Sequence, residues 1–185
     1  MPPTLVLVRH AMPAVDPGTP SVLWQLSDDG KAAARALRPR IPAAAYVVSS
    51  PEPKALQTVQ QLGEEITTEA GFGEVRRPRA WSAEYRAEAR AYVDGRRHPD
   101  WESHEEVARR FDDAIRRHLA DAGDRTLVVG THGLAPTVWL ASRVRLPDPG
   151  EFWAALGFPD LINVDLERRT ALTNDHALGE PAGGN

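Results

Sequence analysis

Apolar residues fall into two patterns along the chain. Short continuous runs occupy residues 4–8, 46–48, 126–129 and 161–166, and a further stretch at 170–173 offers a hairpin return for the last of them. Runs of this length read as buried strands. Between them the apolar positions recur at helical spacing. Ser27 caps a predicted helix through Leu37 that Pro39 stops. Ser50-Pro51 supplies an N-cap and an N1 proline to a second, with Ala55, Leu56, Val59 and Leu62 on one face. Ser103-His104-Glu105-Glu106 reads as a capping box, behind which Val107, Phe111, Ile115 and Leu119 repeat every four residues. Strands alternating with longer helices predict an α/β fold: a three-layer sandwich with a mostly parallel central sheet flanked by helices on both faces.

Residues 72–100 break this alternation with mixed proline, arginine and aromatic residues. They predict a partly helical cover segment, with a helix over 83–93 closed by Gly95 and Tyr85, Ala89, Tyr92 and Val93 on one face. Arg76, Arg77, Arg79, Arg86 and Arg90, with Trp81, Tyr85 and Tyr92 among them, suit an anionic or ringed substrate or simply a helical surface. The expected organisation is a single domain over 1–178 and a disordered tail over 179–185.

Two distant phrases resemble each other, "TLVLVRHA" from Thr4 and "TLVVGTHG" from Thr126. Each is an apolar strand that stops at a histidine, His10 or His132. Ligands bind at the carboxyl ends of strands in an open parallel sheet, so the two histidines are expected to face one pocket. A helix predicted over 134–142 would point its first amides there, beside Gly133, as an anion site.

Composition narrows the function classes. The chain has 185 residues, no cysteine and a formal net charge of -4. Disulfides and thiolate chemistry are excluded, and nucleic acid is not an expected partner. No apolar stretch has membrane-spanning length. Nor does a secretory pattern precede the first strand, so a cytoplasmic location is expected.

Four islands of sequence resemble the histidine phosphatase superfamily, the phosphoglycerate-mutase-like fold, over residues 4–165. The Arg-His-Gly that ends the family's first strand is matched by Arg9-His10-Ala11. The signature S-S-P-L-x-R-A-x-Q-T aligns without gaps on Ser49-Ser50-Pro51-Glu52-Pro53-Lys54-Ala55-Leu56-Gln57-Thr58. A family glutamate is matched within Phe72-Gly73-Glu74-Val75, and a terminal S-H-G by Thr131-His132-Gly133. Ala11 stands in place of glycine and Lys54 in place of arginine.

The resemblance implies that His10 is a nucleophile forming a phosphohistidine, with Glu74 as general acid. Arg9, Lys54, His132 and Gly133 would hold the phosphoryl oxygens. The chemistry suits the residue types: a neutral imidazole is needed for attack, and the adjacent Arg9 guanidinium is expected to lower the pKa of His10. Glu84, on the cover helix, is the alternative acid. The leading expectation is a metal-independent phosphatase of small phosphorylated metabolites that uses no cofactor. The alternatives are a phosphoglycerate-type mutase, a weakly active or silent phosphate-binding module, and a metal hydrolase for which the chain lacks a spacing such as H-E-x-x-H. Oligomeric state stays open, with a homodimer among the arrangements.

Overall fold

A computed structural model describes residues 5–63, 65–78, 83–173 and 177–178. Thr4, Arg79, Trp81 and the expected tail lie outside the described residues. The expected α/β architecture is present. Among the described residues, seven strands form one mixed sheet: β1 (Leu5–Arg9), β2 (Tyr46–Ser49), β3 (Ile66–Thr68), β4 (Leu127–Thr131), β5 (Asp160–Asp165), β6 (Thr170–Leu172) and β7 (Ala177–Leu178), in the order β3-β2-β4-β1-β5-β6-β7. The β3-β2-β4-β1 half is parallel. From β1 onward the pairings are antiparallel, because β5 runs against β1 and β6 and β7 fold back from it in turn.

Alternation along the strands feeds two cores. Leu5, Leu7, Leu127 and Val129 belong to the larger core, while Val6, Val8 and Val128 belong to the smaller one. A strand buried on both faces needs an unbroken apolar run, which accounts for the "LVLV" of β1. The larger core includes residues from α3 (Tyr85–Val93), α4 (His104–Ala122), α5 (Leu134–Arg143) and α6 (Pro149–Ala155). Its fully buried Phe72, Phe111 and Trp139 each stabilise the fold by roughly 2–3 kcal/mol relative to exposure.

Local signals explain most boundaries. The capping box at Ser103 and Glu106 starts α4 as expected. Ser27 caps α1 (Asp28–Ala36) by accepting from Gly30 N. α1 also lies close to the loop after β1, since a Cβ at Gly30 would stand 2.2 Å from Met12 O. Gly130 plays the equivalent part under α2 (Pro53–Gln60), where a Cβ would meet a Val59 methyl at 2.6 Å. Close approach of α2 to β4 brings Lys54 and Thr58 near the strand ends.

Three expectations need correction. α2 begins at Pro53 with Glu52 at its N-cap, two residues after the expected start, because Ser50 Oγ is engaged with His132. The segment expected to cover the site over 72–100 also builds the core, through Phe72, Val75, Ala89, Tyr92 and Val93. β3 and α6 had no counterpart in the apolar pattern.

Candidate active site

Sheet register brings the two histidines together. Arg9 stands opposite Thr131 in the parallel pairing of β1 and β4, so the residues that follow, His10 and His132, leave adjacent strands at the same end. His10 N donates to Thr131 O at 3.0 Å, and the two imidazoles meet edge to face with centroids 5.4 Å apart. Ser50 leaves β2 on the other side of β4, and its hydroxyl lies 2.9 Å from His132 Nε2.

The backbone fixes the tautomer of His10. Its Nδ1–H donates to Ala11 O at 2.8 Å, which leaves Nε2 with the lone pair a nucleophile needs. The imidazole pKa is lowered to about 3, first by burial and then by His132, with Lys54 and Arg9 contributing less. The expected effect of Arg9 is thus real in direction but secondary to desolvation. His132 is also lowered to about 3 by burial, against the opposing pull of Glu74, and its Nδ1 has no partner among the described residues.

Arg9 lies beneath the mouth of the site. Nη1 donates to Leu156 O at 2.6 Å, and its guanidinium carbon lies 3.7 Å above the Phe158 ring. Its Nε is buried without a partner among the described residues, and burial lowers its pKa to about 10 while leaving it charged at neutral pH. Ala11, the departure from glycine, takes no left-handed backbone conformation. Its methyl is fully buried with Leu26 and Ala34, and its N–H donates to Thr58 Oγ1 at 2.9 Å.

Glu74 accepts from Gly133 N at 3.1 Å, Leu134 N at 3.1 Å and Ala135 N at 2.8 Å. The anion site expected at the start of α5 therefore holds a carboxylate of the chain itself. Burial alone would push its carboxyl up; electrostatic interaction with His132, the charge of Arg77 and the amide hydrogen bonds from Val75 and Ala135 outweigh burial and hold it at about 2. Its loop is fixed by Arg110, which donates to Gly71 O at 2.7 Å, Gly73 O at 2.9 Å and Glu74 O at 3.1 Å, and pairs with buried Glu102 at 2.8 Å. Glu84, the alternative acid, is exposed at the N-cap of α3 and does not line the cavity in front of His10.

Lys54 is buried and joins the cluster through unexpected partners. Its ammonium donates to Ser21 O and to Glu52 Oε2, each at 2.7 Å. Glu52 Oε1 in turn lies 3.3 Å from His132 Nε2 and accepts from Glu74 N at 3.0 Å. Sequence reasoning passed over Glu52. The signal was an acidic residue at the leucine position of the quoted signature. Phe158 was also missed, because its contact with Arg9 depends on the turn into β5.

The cluster opens into a cavity of about 550 Å³ lined by Arg9, His10, Lys54, Glu52, Glu74 and Gly133 on its inner side. Among the described residues, no group of three or more histidine, aspartate and glutamate side chains is placed to hold a metal ion. Among them, too, no helix is long and apolar enough to cross a membrane.

A family model of the histidine phosphatase superfamily (branch 1) matches residues 5–157. The chain is similar in structure to mycobacterial glucosyl-3-phosphoglycerate phosphatase, at 21% identity and a TM-score of 0.68 over 93% of this chain and 97% of that one. It is also similar to Mycobacterial hydrolase 1, at 22% identity and a TM-score of 0.67 over 96% and 99% of the two chains. A phosphoserine phosphatase variant from Entamoeba histolytica, in complex with phosphoserine, shows 15% identity and a TM-score of 0.67 over 93% and 95%. At these identities the likeness is one of fold. No curated protein matches the sequence.

Proposed function

The chain belongs to the histidine phosphatase superfamily, branch 1, and on that premise we propose that it is a metal-independent phosphatase acting on a small phosphorylated metabolite through His10. The observation that carries this reading is the β1–β4 register, which sets an imidazole with a free Nε2 beside His132 and next to a buried, charged Arg9. The phosphatase structures that share the fold support it.

In this reading the phosphoryl group enters between His10, Arg9, His132 and the Gly133 amide. His10 Nε2 attacks phosphorus in line as the P–O bond to the leaving group breaks. Phosphoryl transfer depends on fixed charge around the equatorial oxygens, which Arg9 and Lys54 supply. Glu74 begins as the carboxylate on the α5 amides. A phosphoryl oxygen competes for those same donors, and displacement removes the hydrogen bonds that keep Glu74 ionised, beside a new dianion. Both changes favour uptake of a proton from solvent, so Glu74 becomes able to give that proton to the departing oxygen. Water then attacks the phosphohistidine, Glu74 takes its proton, and inorganic phosphate leaves with His10 restored.

The test is hydrolysis of p-nitrophenyl phosphate by the full chain with a chelator present. The expected result is turnover that survives chelation and disappears in His10→Ala. Activity abolished by the chelator, or retained in His10→Ala, overturns the mechanism.

A further inference from the structure

The phosphatase reading leaves the body of the substrate unspecified, and the inference that follows rests on that reading. The cavity in front of His10 is lined by two unlike groups of residues. One comes from residues 12–24, where Met12, Val15 and Val22 line it together with Pro13, Pro17 and Pro20. Met12 is 46% exposed, Val15 53% and Val22 40%. Large apolar side chains left open around a catalytic pocket mark a contact for ligand.

This wall is built rather than loose. Trp24 Nε1 donates to Asp16 O at 3.0 Å and Thr19 O at 2.9 Å, and Lys54 Nζ ties Ser21 O to the inner cluster at 2.7 Å. Asp16, the acid of this segment, is turned into its own loop, accepting from Gly18 N at 2.9 Å and Thr19 Oγ1 at 2.6 Å. The apolar surface is therefore held in place before any ligand arrives, which lowers the ordering cost of binding.

Arg76, Arg77, Tyr85 and Arg86 line the cavity as well. Arg76 is committed to Glu102 at 2.8 Å. The Arg77 guanidinium lies 4.8 Å over the Tyr85 ring, with a hydrogen bond to Val75 O stretched to 3.5 Å. Arg86 is exposed and makes no ion pair among the described residues. The two carboxylates that line the cavity are engaged elsewhere, Glu52 with Lys54 and Glu74 with the α5 amides. Arg77 acts on Glu74 through its charge, but neither Arg77 nor Arg86 makes an ion pair among the described residues.

We propose that the substrate is a phosphate monoester with an apolar body of about ring size and a second negative group, the body lying on the 12–24 wall and the second charge meeting Arg77 and Arg86. A sugar or glycerol body would place most of its hydroxyls against methionine, valine and proline, with Thr19 and Ser21 the hydroxyl side chains on this wall, at a cost in desolvation.

The probes are three esters with alkoxide leaving groups: 4-carboxybenzyl phosphate, benzyl phosphate and glycerol 3-phosphate. The expected order of kcat/KM is the order given, each step about tenfold, the size of burying one ring face or pairing one partly screened charge. Val22→Ser narrows the gap between benzyl phosphate and glycerol 3-phosphate. Arg86→Ala narrows the gap between the two benzyl esters. Both side chains are exposed, so the fold tolerates these changes. The corresponding phosphonates, titrated calorimetrically, report the same order without turnover. Equal values for all three esters, or a preference for glycerol 3-phosphate, overturn the substrate class and leave the phosphatase reading standing. Ordered phosphonate binding without turnover upholds the pocket chemistry and overturns the phosphatase reading. Absence of both overturns both.

Discussion

Replacing Glu74 with glutamine tests whether the free protein keeps this carboxylate ionised at the start of α5. The substitution preserves shape and one acceptor oxygen but removes the charge that Gly133, Leu134 and Ala135 amides surround. The carboxyl titrates at about 2 in the folded chain, against an ordinary value of 4.5. A depressed folded pKa contributes stability that is fully present above the ordinary value and is lost as pH falls through the folded one. The difference corresponds to about 3 kcal/mol at pH 7 and about 1 kcal/mol at pH 3. Urea unfolding followed by tryptophan fluorescence, on wild type and Glu74→Gln between pH 7 and pH 3, reads this directly. Groups remote from Glu74 titrate alike in both proteins, so the gap between the two curves reports Glu74 together with His132, on which its charge acts. It should close from about 3 to about 1 kcal/mol across that range. A gap independent of pH, or none at all, refutes the assignment of an ionised Glu74 to the α5 amides.

Ala11→Gly should lower stability by about 1–2 kcal/mol, combining a lost buried methyl with added backbone freedom, and should not raise kcat/KM. A more active glycine variant would show that the alanine hinders the site. Glu52→Gln removes the anion facing Lys54 and His132, and inorganic phosphate should then inhibit turnover about tenfold more strongly. Unchanged inhibition would mean that Glu52 does not compete with phosphate for those groups.

The parts of the site legible in the sequence share a physical cause. β1 and β4 had to be continuous apolar runs because both faces are buried, and a histidine ending each run stands out against that background. The capping box of α4 and the β5–β6 return were equally local signals. The start of α2 was not legible, since Ser50 is a good N-cap in isolation and is claimed by His132 only once β2 and β4 lie side by side. β3 escaped because it is short, with Thr67 and Thr68 exposed at the sheet edge. Glu52 and the ionised state of Glu74 are products of assembly: each depends on partners far away in the chain. The strongest cause of the lowered His10 pKa, burial, likewise comes from packing rather than from its neighbour Arg9.

Phosphoryl transfer to His10 Nε2 is the step on which the proposed chemistry turns. Mixing the protein with a phosphate monoester, quenching in base within the first turnover and measuring intact mass tests it. The expected product is an added phosphoryl group that is stable in base, lost in acid, located by fragmentation on His10 and missing from His10→Ala. Steady turnover with no such adduct, or an adduct on another residue, would contradict it.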